Sequence, residues 1–355
     1  MALLWCDGFE GYGASDADPS PVGVFADKYA QVSGENEFTT LPTSGRNGGA
    51  SIKCSAAFAN FYIRTGNLTS NATTFMGVAY YYEPQTNWES DTRWSLFRYG
   101  NSGGNWCGSL VVTDASLWFR NAAAAYVGGS RVTLERYKYN YIEAKVFSHA
   151  TAGTVEVRVN GCPVMNLTSV NTQASGGVIS NFGIGFPSPI QNARNSRLDD
   201  YYVCDASGSE NNDFLGDTTV RTLWPDGDDS VNFTTTGNGS YATHYEQVNG
   251  LNSLRSTDYV DDGSAGAKDI FTLDDSTDNF ATVHAVVGWA YGNYVTTPNN
   301  YRLVCDSNGT ESESSNITGS SSWEYDSYIL ESDPDTAGAW TDSTVNALKY
   351  GFEVQ

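Results

Sequence analysis

The sequence predicts an all-β protein built from two sandwich-like domains, and three observations carry that prediction. Apolar and polar residues alternate with period 2 along many short stretches, while convincing 3.6-residue periods are few. Clusters of Gly, Asn and Ser punctuate those stretches as turns. Aromatic and β-branched residues abound while Lys and Leu are sparse, a balance that suits pleated sheets better than helices. A chain of 355 residues with 40% apolar content is long enough to bury a core in each of two domains.

In the first domain, residues 75–82 read as a strand. Residues 94–99 alternate, with Trp94, Leu96 and Arg98 on one side. Strands follow at 110–112, 117–120 and 137–147, the last with Ile142, Ala144 and Val146 on one face. The clearest hairpin spans 154–164. There Val155, Val157 and Val159 face one way, Glu156 and Arg158 the other, and Asn160-Gly161 supplies the positive φ angles of a tight primed turn. Residues 180–186 and 198–205 close this domain, placing the boundaries at 1–207 and 208–355.

In the second domain, Asp213-Phe214-Leu215-Gly216-Asp217 leads in, and residues 218–224 alternate until Pro225 stops them. Asp226-Gly227-Asp228-Asp229 reads as an acidic turn. Later strands are predicted at 268–273, 282–291, 301–305, 323–331 and 350–354, with one short helix at 341–348 and a mobile Ser/Asn/Gly-rich loop at 308–322.

Charge is distributed unevenly. Of the net −22, residues 1–205 hold 14 basic against 17 acidic side chains, and residues 206–355 hold 5 against 24. Such a surface repels phosphate backbones and anionic membranes, so neither nucleic acid nor a membrane is an expected partner. No apolar run reaches membrane-spanning length, and the opening residues 1–7 lack a basic region followed by a signal-length apolar run, so synthesis in a cytosol is expected. Cys6, Cys54, Cys107, Cys162, Cys204 and Cys305 form no CxxC unit, and free thiols are the default. A Cys6–Cys204 bridge joining the first and last strands of domain one is the one disulfide hypothesis.

No catalytic set stands out. His149, His244 and His284 are isolated along the chain, and His284 falls within a predicted strand. Gly100-Asn101-Ser102-Gly103-Gly104 matches GxSxG but lacks the strand-to-helix setting of a nucleophile elbow, so a hairpin loop is expected. Glu89-Ser90-Asp91 and Glu331-Ser332-Asp333 each begin a strand-borne acid pattern of glycoside hydrolysis, which Trp94 and Thr336 break. No catalytic, cofactor-binding or metal residues are therefore assigned. Calcium is the metal that Asp226, Asp228 and Asp229, or Asp261 and Asp262, would suit, with solvated turns as the simpler reading. Tyr80, Tyr81, Tyr82, Trp94 and Trp118 are expected mainly to pack, whereas Trp88 and Trp106 fall in apparent loops and are the candidates for stacking on a glycan.

Three marks in domain one occur in the order of a laminin-G or concanavalin A-like jelly roll: Cys6-Asp7-Gly8-Phe9-Glu10, the 155–161 hairpin, and Leu198-Asp199-Asp200-Tyr201-Tyr202-Val203. The whole chain resembles virion structural proteins of tailed bacteriophages. That resemblance rests on residues 213–217 with Val220 and Leu223, and on 331–335, Ala339-Trp340-Thr341, 345–348 and Gly351-Phe352. It implies a virion protein assembled in the host cytoplasm, homo-oligomeric and partnered with the major capsid protein or other virion proteins. The expected function is accordingly non-enzymatic capsid decoration, a cement that bridges shell subunits. The alternative is a tail-located carbohydrate-binding protein for host attachment.

Overall fold

The computed structural model describes the chain except residues 13–25, 34–37, 42, 55–60, 69, 84–93, 113–115, 176, 187–195, 237–242, 250–258, 277 and 294–299. It comprises two compact units, Met1–Arg221 and Thr222–Gln355.

Unit one is a jelly-roll sandwich. Its strands are β1 (Leu3–Asp7), β2 (Gln31–Ser33), β3 (Phe38–Leu41), β4 (Ser51–Cys54), β5 (Phe61–Arg64), β6 (Thr73–Tyr82), β7 (Trp94–Asn101), β8 (Trp106–Val112), β9 (Ser116–Asn121), β10 (Tyr126–Arg131), β11 (Lys138–Phe147), β12 (Gly153–Val159), β13 (Cys162–Val170), β14 (Ile179–Phe186) and β15 (Arg197–Asp205). The first sheet runs β13-β12-β11-β6-β15-β4-β3, with β1 also on β15; the second runs β10-β9-β8-β7-β14-β5-β2. Alternation dictates the core. Met76, Val78, Ile142, Ala144, Val155 and Val157 point inward from the first sheet, and Ile63, Phe97, Leu110, Phe119 and Ile184 from the second, all essentially inaccessible to water. Each such side chain contributes about 1.5–3 kcal/mol relative to exposure. The 154–164 hairpin forms as expected: Val159 pairs with Cys162, and Asn160 and Gly161 take φ of 49° and 76°.

Unit two is a second β assembly of β16 (Pro225–Val231), β17 (Thr234–Thr236), β18 (Tyr259–Asp261), β19 (Lys268–Leu273), β20 (Val286–Gly292), β21 (Asn300–Ser307), β22 (Thr310–Glu313), β23 (Ile317–Thr318), β24 (Glu324–Leu330) and β25 (Leu348–Val354), with short helices α1 (His244–Val248) and α2 (Asp342–Asn346). Its main sheet runs β16-β19-β25-β21-β22, and β17-β18 and β20-β24 form two-stranded sheets. Cys305, Leu330, Trp340, Val345 and Leu348 form a core, in which the Trp340 indole N–H donates to the Leu330 carbonyl at 2.9 Å. The predicted short helix is α2, with Thr341 as N-cap in a capping box with Thr344.

Several expectations need correction. Residues 213–221 do not open the second unit but lie on the outward face of the first sheet. The Leu215 and Gly216 amides donate to the Tyr202 hydroxyl and Glu143, and the Phe214 ring meets Phe75 edge-on at 5.4 Å. Residues 218–224 form no strand. Instead Pro225 begins β16 and the acidic run 226–229 lies within it. An edge strand tolerates proline at its first residue and carries outward acids readily, so the expected turn is a strand interrupted by bulges. The 308–322 segment holds β22 and β23. Strands β1 and β15 do neighbour each other, but Cys6 pairs with Tyr202 and Cys204 with Leu3, and the two are not joined in a disulfide.

Candidate glycan-binding face

The outward face of the second sheet is the most chemically distinctive surface of unit one. A single cross-strand row, read from the register, runs Tyr126–Arg120–Ser109–Arg98–Gly183–Arg64–Gln31 from β10 to β2. The alternation that sends Phe119, Phe97 and Ile63 inward sends Arg120, Arg98 and Arg64 outward. Sequence alternation alone grouped Arg98 with Leu96. A bulge between Ser95 and Phe97 resets the phase, so Phe97 pairs inward with Leu110 and Arg98 turns outward.

Aromatic rings interleave with these guanidiniums. Arg98 lies over the Tyr62 ring at 4.1 Å and within 5.7 Å of the Trp106 ring. Arg120 is 5.7 Å from Trp106 on its other flank and 5.9 Å from Tyr126. Strand β14 lies between Arg98 and Tyr62 and contributes Gly183 to this face. A Cβ at Gly183 would stand 3.5 Å from the Cβ atoms of both Arg64 and Arg98 and 2.9 Å from the Ile63 carbonyl. The missing side chain leaves Arg98 room to lie flat across β14 and stack on Tyr62. Trp118 joins the same face and packs over Gly129, where an added Cβ would meet its ring at 2.6 Å.

The polar atoms here are incompletely matched. The Trp106 indole N–H and the Nε–H groups of Arg98 and Arg64 are buried donors with no acceptor among the described residues. Burial pushes the Arg98 pKa down, and the like charges of Arg120 and Arg64 push it further, while Tyr62 acts in its favour. No carboxylate takes part in that balance.

Sequence reasoning reached part of this face. Trp106 stands on it, half-buried at the start of β8 and not in a loop. Trp88 and the Glu89-Ser90-Asp91 run lie outside the described residues. Tyr80 and Tyr82 are core residues, as expected, and Tyr81 is covered by the Arg197 guanidinium at 4.7 Å. Arg64, Arg98, Arg120 and Tyr62 were missed. The alternation in Phe61-Tyr62-Ile63-Arg64 and Leu117-Trp118-Phe119-Arg120 was the available signal, since in both an aromatic and an arginine share the polar phase.

Other candidate chemistry resolves into structure. Gly100–Gly104 is a hairpin turn in which the Asn101 side chain accepts from the Gly103 and Asn105 amides. His244 pairs with the buried Asp269 at 2.7 Å, and Asp269 also accepts from the Asn232 and Phe233 amides. His149 Nδ1 accepts from the Thr151 and Ala152 amides, and His284 lies just before β20. Asp226 accepts from Thr272, Asp228 from the first amides of α1, Asp229 pairs with Lys349, Asp261 accepts from Thr236, and Asp262 from the Ser264 amide. Among the described residues no group of three or more ligating side chains is placed to hold a metal ion. Asp333 is fully buried and accepts from Ser307 and Thr336, so the 331–333 run is no glycosidase acid pair.

No protein-family profile and no curated protein matches the chain. It is similar to several solved structures. One is endo-β-1,4-glucuronan lyase from the fungus Trichoderma reesei, with 10% identity, TM-score 0.40, and coverage of 50% of this chain and 90% of that one. Another is an alginate lyase from Chlorella virus, with 10% identity, TM-score 0.37, and coverage of 52% and 95%. A third is domain 4 of an extracellular arabinanase from Geobacillus stearothermophilus in complex with arabinotriose, with 15% identity, TM-score 0.38, and coverage of 57% and 93%. These structures are described as two polysaccharide lyases and a domain of an arabinanase, and none is described as a virion structural protein. That finding corrects two expectations, the capsid decoration role and the absence of enzymatic activity.

Proposed function

We propose that unit one is a carbohydrate-binding module and that the outward face of its second sheet is the glycan site. One observation carries this reading: Trp106 stands between the guanidiniums of Arg98 and Arg120, which in turn meet the Tyr62 and Tyr126 rings, on a face whose N–H donors lack acceptors among the described residues. A sugar ring presents an apolar C–H face to an aromatic ring and hydroxyl acceptors to N–H donors. This surface offers both, in the manner of ligand sites that combine aromatic lining with a few placed polar groups. Binding of the full chain to a panel of immobilised polysaccharides, followed by titration of any hit against Trp106→Ala, tests it. The expected result is binding to at least one glycan and about tenfold or greater loss in the variant. Retention of full affinity by Trp106→Ala, or binding to no glycan in the panel, contradicts it.

A further inference from the structure

We infer that the ligand of this face is a polyanionic polysaccharide, laid across the strands along the line of Arg64, Arg98 and Arg120. The inference rests on the glycan-binding reading and adds the ligand's charge and direction.

The register fixes the direction. The three arginines occupy one cross-strand row on β5, β7 and β9, each two strands from the next. Strands lie about 4.8 Å apart, so the backbone positions of the three arginines recur about every 10 Å along a line perpendicular to the strands. Between Arg64 and Arg98 the row passes over Gly183, where the Arg98 guanidinium reaches across β14 to Tyr62.

The charge balance fixes the sign. Arg64 and Arg120 both act on Arg98 as like charges, and among the described residues no acidic group is paired with it to offset them. Two arginines on the other side of the sandwich, Arg46 and Arg158, are paired by the fold, whereas Arg197 of the first sheet lies over the Tyr81 ring. Arg46 pairs with Asp200 at 3.1 Å and also with Asp217, and Arg158 pairs with Glu156 at 2.9 Å. In a chain of net charge −22, a row of three cations with no carboxylate paired to them among the described residues is a local reversal. An anion bridging them would relieve their mutual repulsion, and the planar guanidinium is suited to carboxylate or sulfate.

The test uses the full chain and four polymers of similar length: alginate, carboxyl-reduced alginate, heparin and poly-dT. Affinities are measured by calorimetry at two salt concentrations for the unsubstituted protein, Arg98→Ala, Arg120→Ala and Arg98→Lys, with melting curves confirming that each variant folds. Binding of alginate or heparin that weakens with salt supports the inference, together with losses of about tenfold to a hundredfold in Arg98→Ala and Arg120→Ala. Tighter alginate binding names carboxylate as the anion and tighter heparin binding names sulfate. Arg98→Lys keeps the charge but not the planar stack, and is expected to fall between the alanine variant and the unsubstituted protein. Equal affinity for alginate and its carboxyl-reduced form, with no heparin preference, overturns the inference and leaves the glycan reading standing. So does tighter binding of poly-dT than of either acidic glycan. Failure to bind any of the glycans, charged or reduced, overturns both.

Discussion

The two outward faces of the sandwich in unit one are both charged, yet the chain treats them in opposite ways. On the first sheet Glu143, Asp200 and Arg158 are paired and partly roofed by residues 213–221, while Arg197 lies over Tyr81. Glu143 accepts from the Tyr202 hydroxyl at 2.6 Å and from the Gly216 amide at 2.9 Å, Asp200 holds Arg46 and accepts from the Val220 amide, and Arg158 lies over the Phe214 ring at 3.9 Å. On the second sheet Arg98 and Arg120 stand with aromatic neighbours, and neither they nor Arg64 pair with a carboxylate among the described residues. A charge paired within its own chain contributes to folding, whereas a cation left among aromatics is available to a ligand. The first face is therefore read as architecture and the second as recognition.

The largest effect expected on stability lies on the covered face. Asp200 is almost wholly buried, and Arg46 beside it is largely so. Asp200→Ala leaves the guanidinium without its buried partner and is expected to cost about 3–5 kcal/mol at pH 7, measured by urea unfolding. Glycan affinity of the folded fraction should be unchanged. A loss below about 1 kcal/mol would mean that the covered face is not the structural one.

The next effect sharpens the contrast from the other side. Arg98→Ala should reduce glycan affinity about tenfold or more while changing stability by less than about 1 kcal/mol, because no buried ion pair is broken. Equal damage to folding and binding would erase the distinction between the faces. Gly183→Val is expected to lower affinity in the same assay by displacing Arg98 from Tyr62, since its Cβ meets the Ile63 carbonyl and both arginine stems.

A subtler effect concerns pH. Burial, with the like charges of Asp200 and Asp7, pushes the Glu10 carboxyl up to about 8 from an ordinary 4.5. The native state therefore holds this proton at pH values where the unfolded chain has released it. Its contribution to stability is present at low pH and is lost as pH rises from about 4.5 through about 8. Glu10→Gln should flatten that decline in melting temperature, and parallel curves for the two proteins would refute the assignment. The smallest effect is expected from Phe214→Ala, which removes an edge-on aromatic contact and a cation–π contact and should cost about 1–2 kcal/mol.

Much of the architecture was legible in the sequence. The Val155, Val157 and Val159 alternation with Asn160-Gly161 specified a hairpin and its turn, and the short helix expected within 341–348 forms at Asp342–Asn346. The limits were equally physical. A bulge such as that between Ser95 and Phe97 shifts the phase of a strand without a local signature, so Arg98 was grouped with the core side. Residues 213–221 read as the lead into a new domain because their hydrogen-bond partners, Glu143, Asp200 and Tyr202, are distant in sequence. The acidic run 226–229 read as a turn because strand pairing to 269–273 is a tertiary fact. Trp106 was reachable as an aromatic outside the core. The arginine row was not, because it arises only when β5, β7 and β9 are placed in one sheet, and one-dimensional patterns do not encode which strands neighbour each other.

The most direct measurement of the central claim is the indole region of a proton–nitrogen spectrum of the full chain, which carries nine tryptophans. The Trp106 signal is assigned with Trp106→Phe and followed during titration with alginate and heparin. The account predicts a saturable shift of the Trp106 N–H, with the Gly216 and Leu215 amides on the covered face unmoved. Saturation that shifts those amides and leaves Trp106 in place would contradict it.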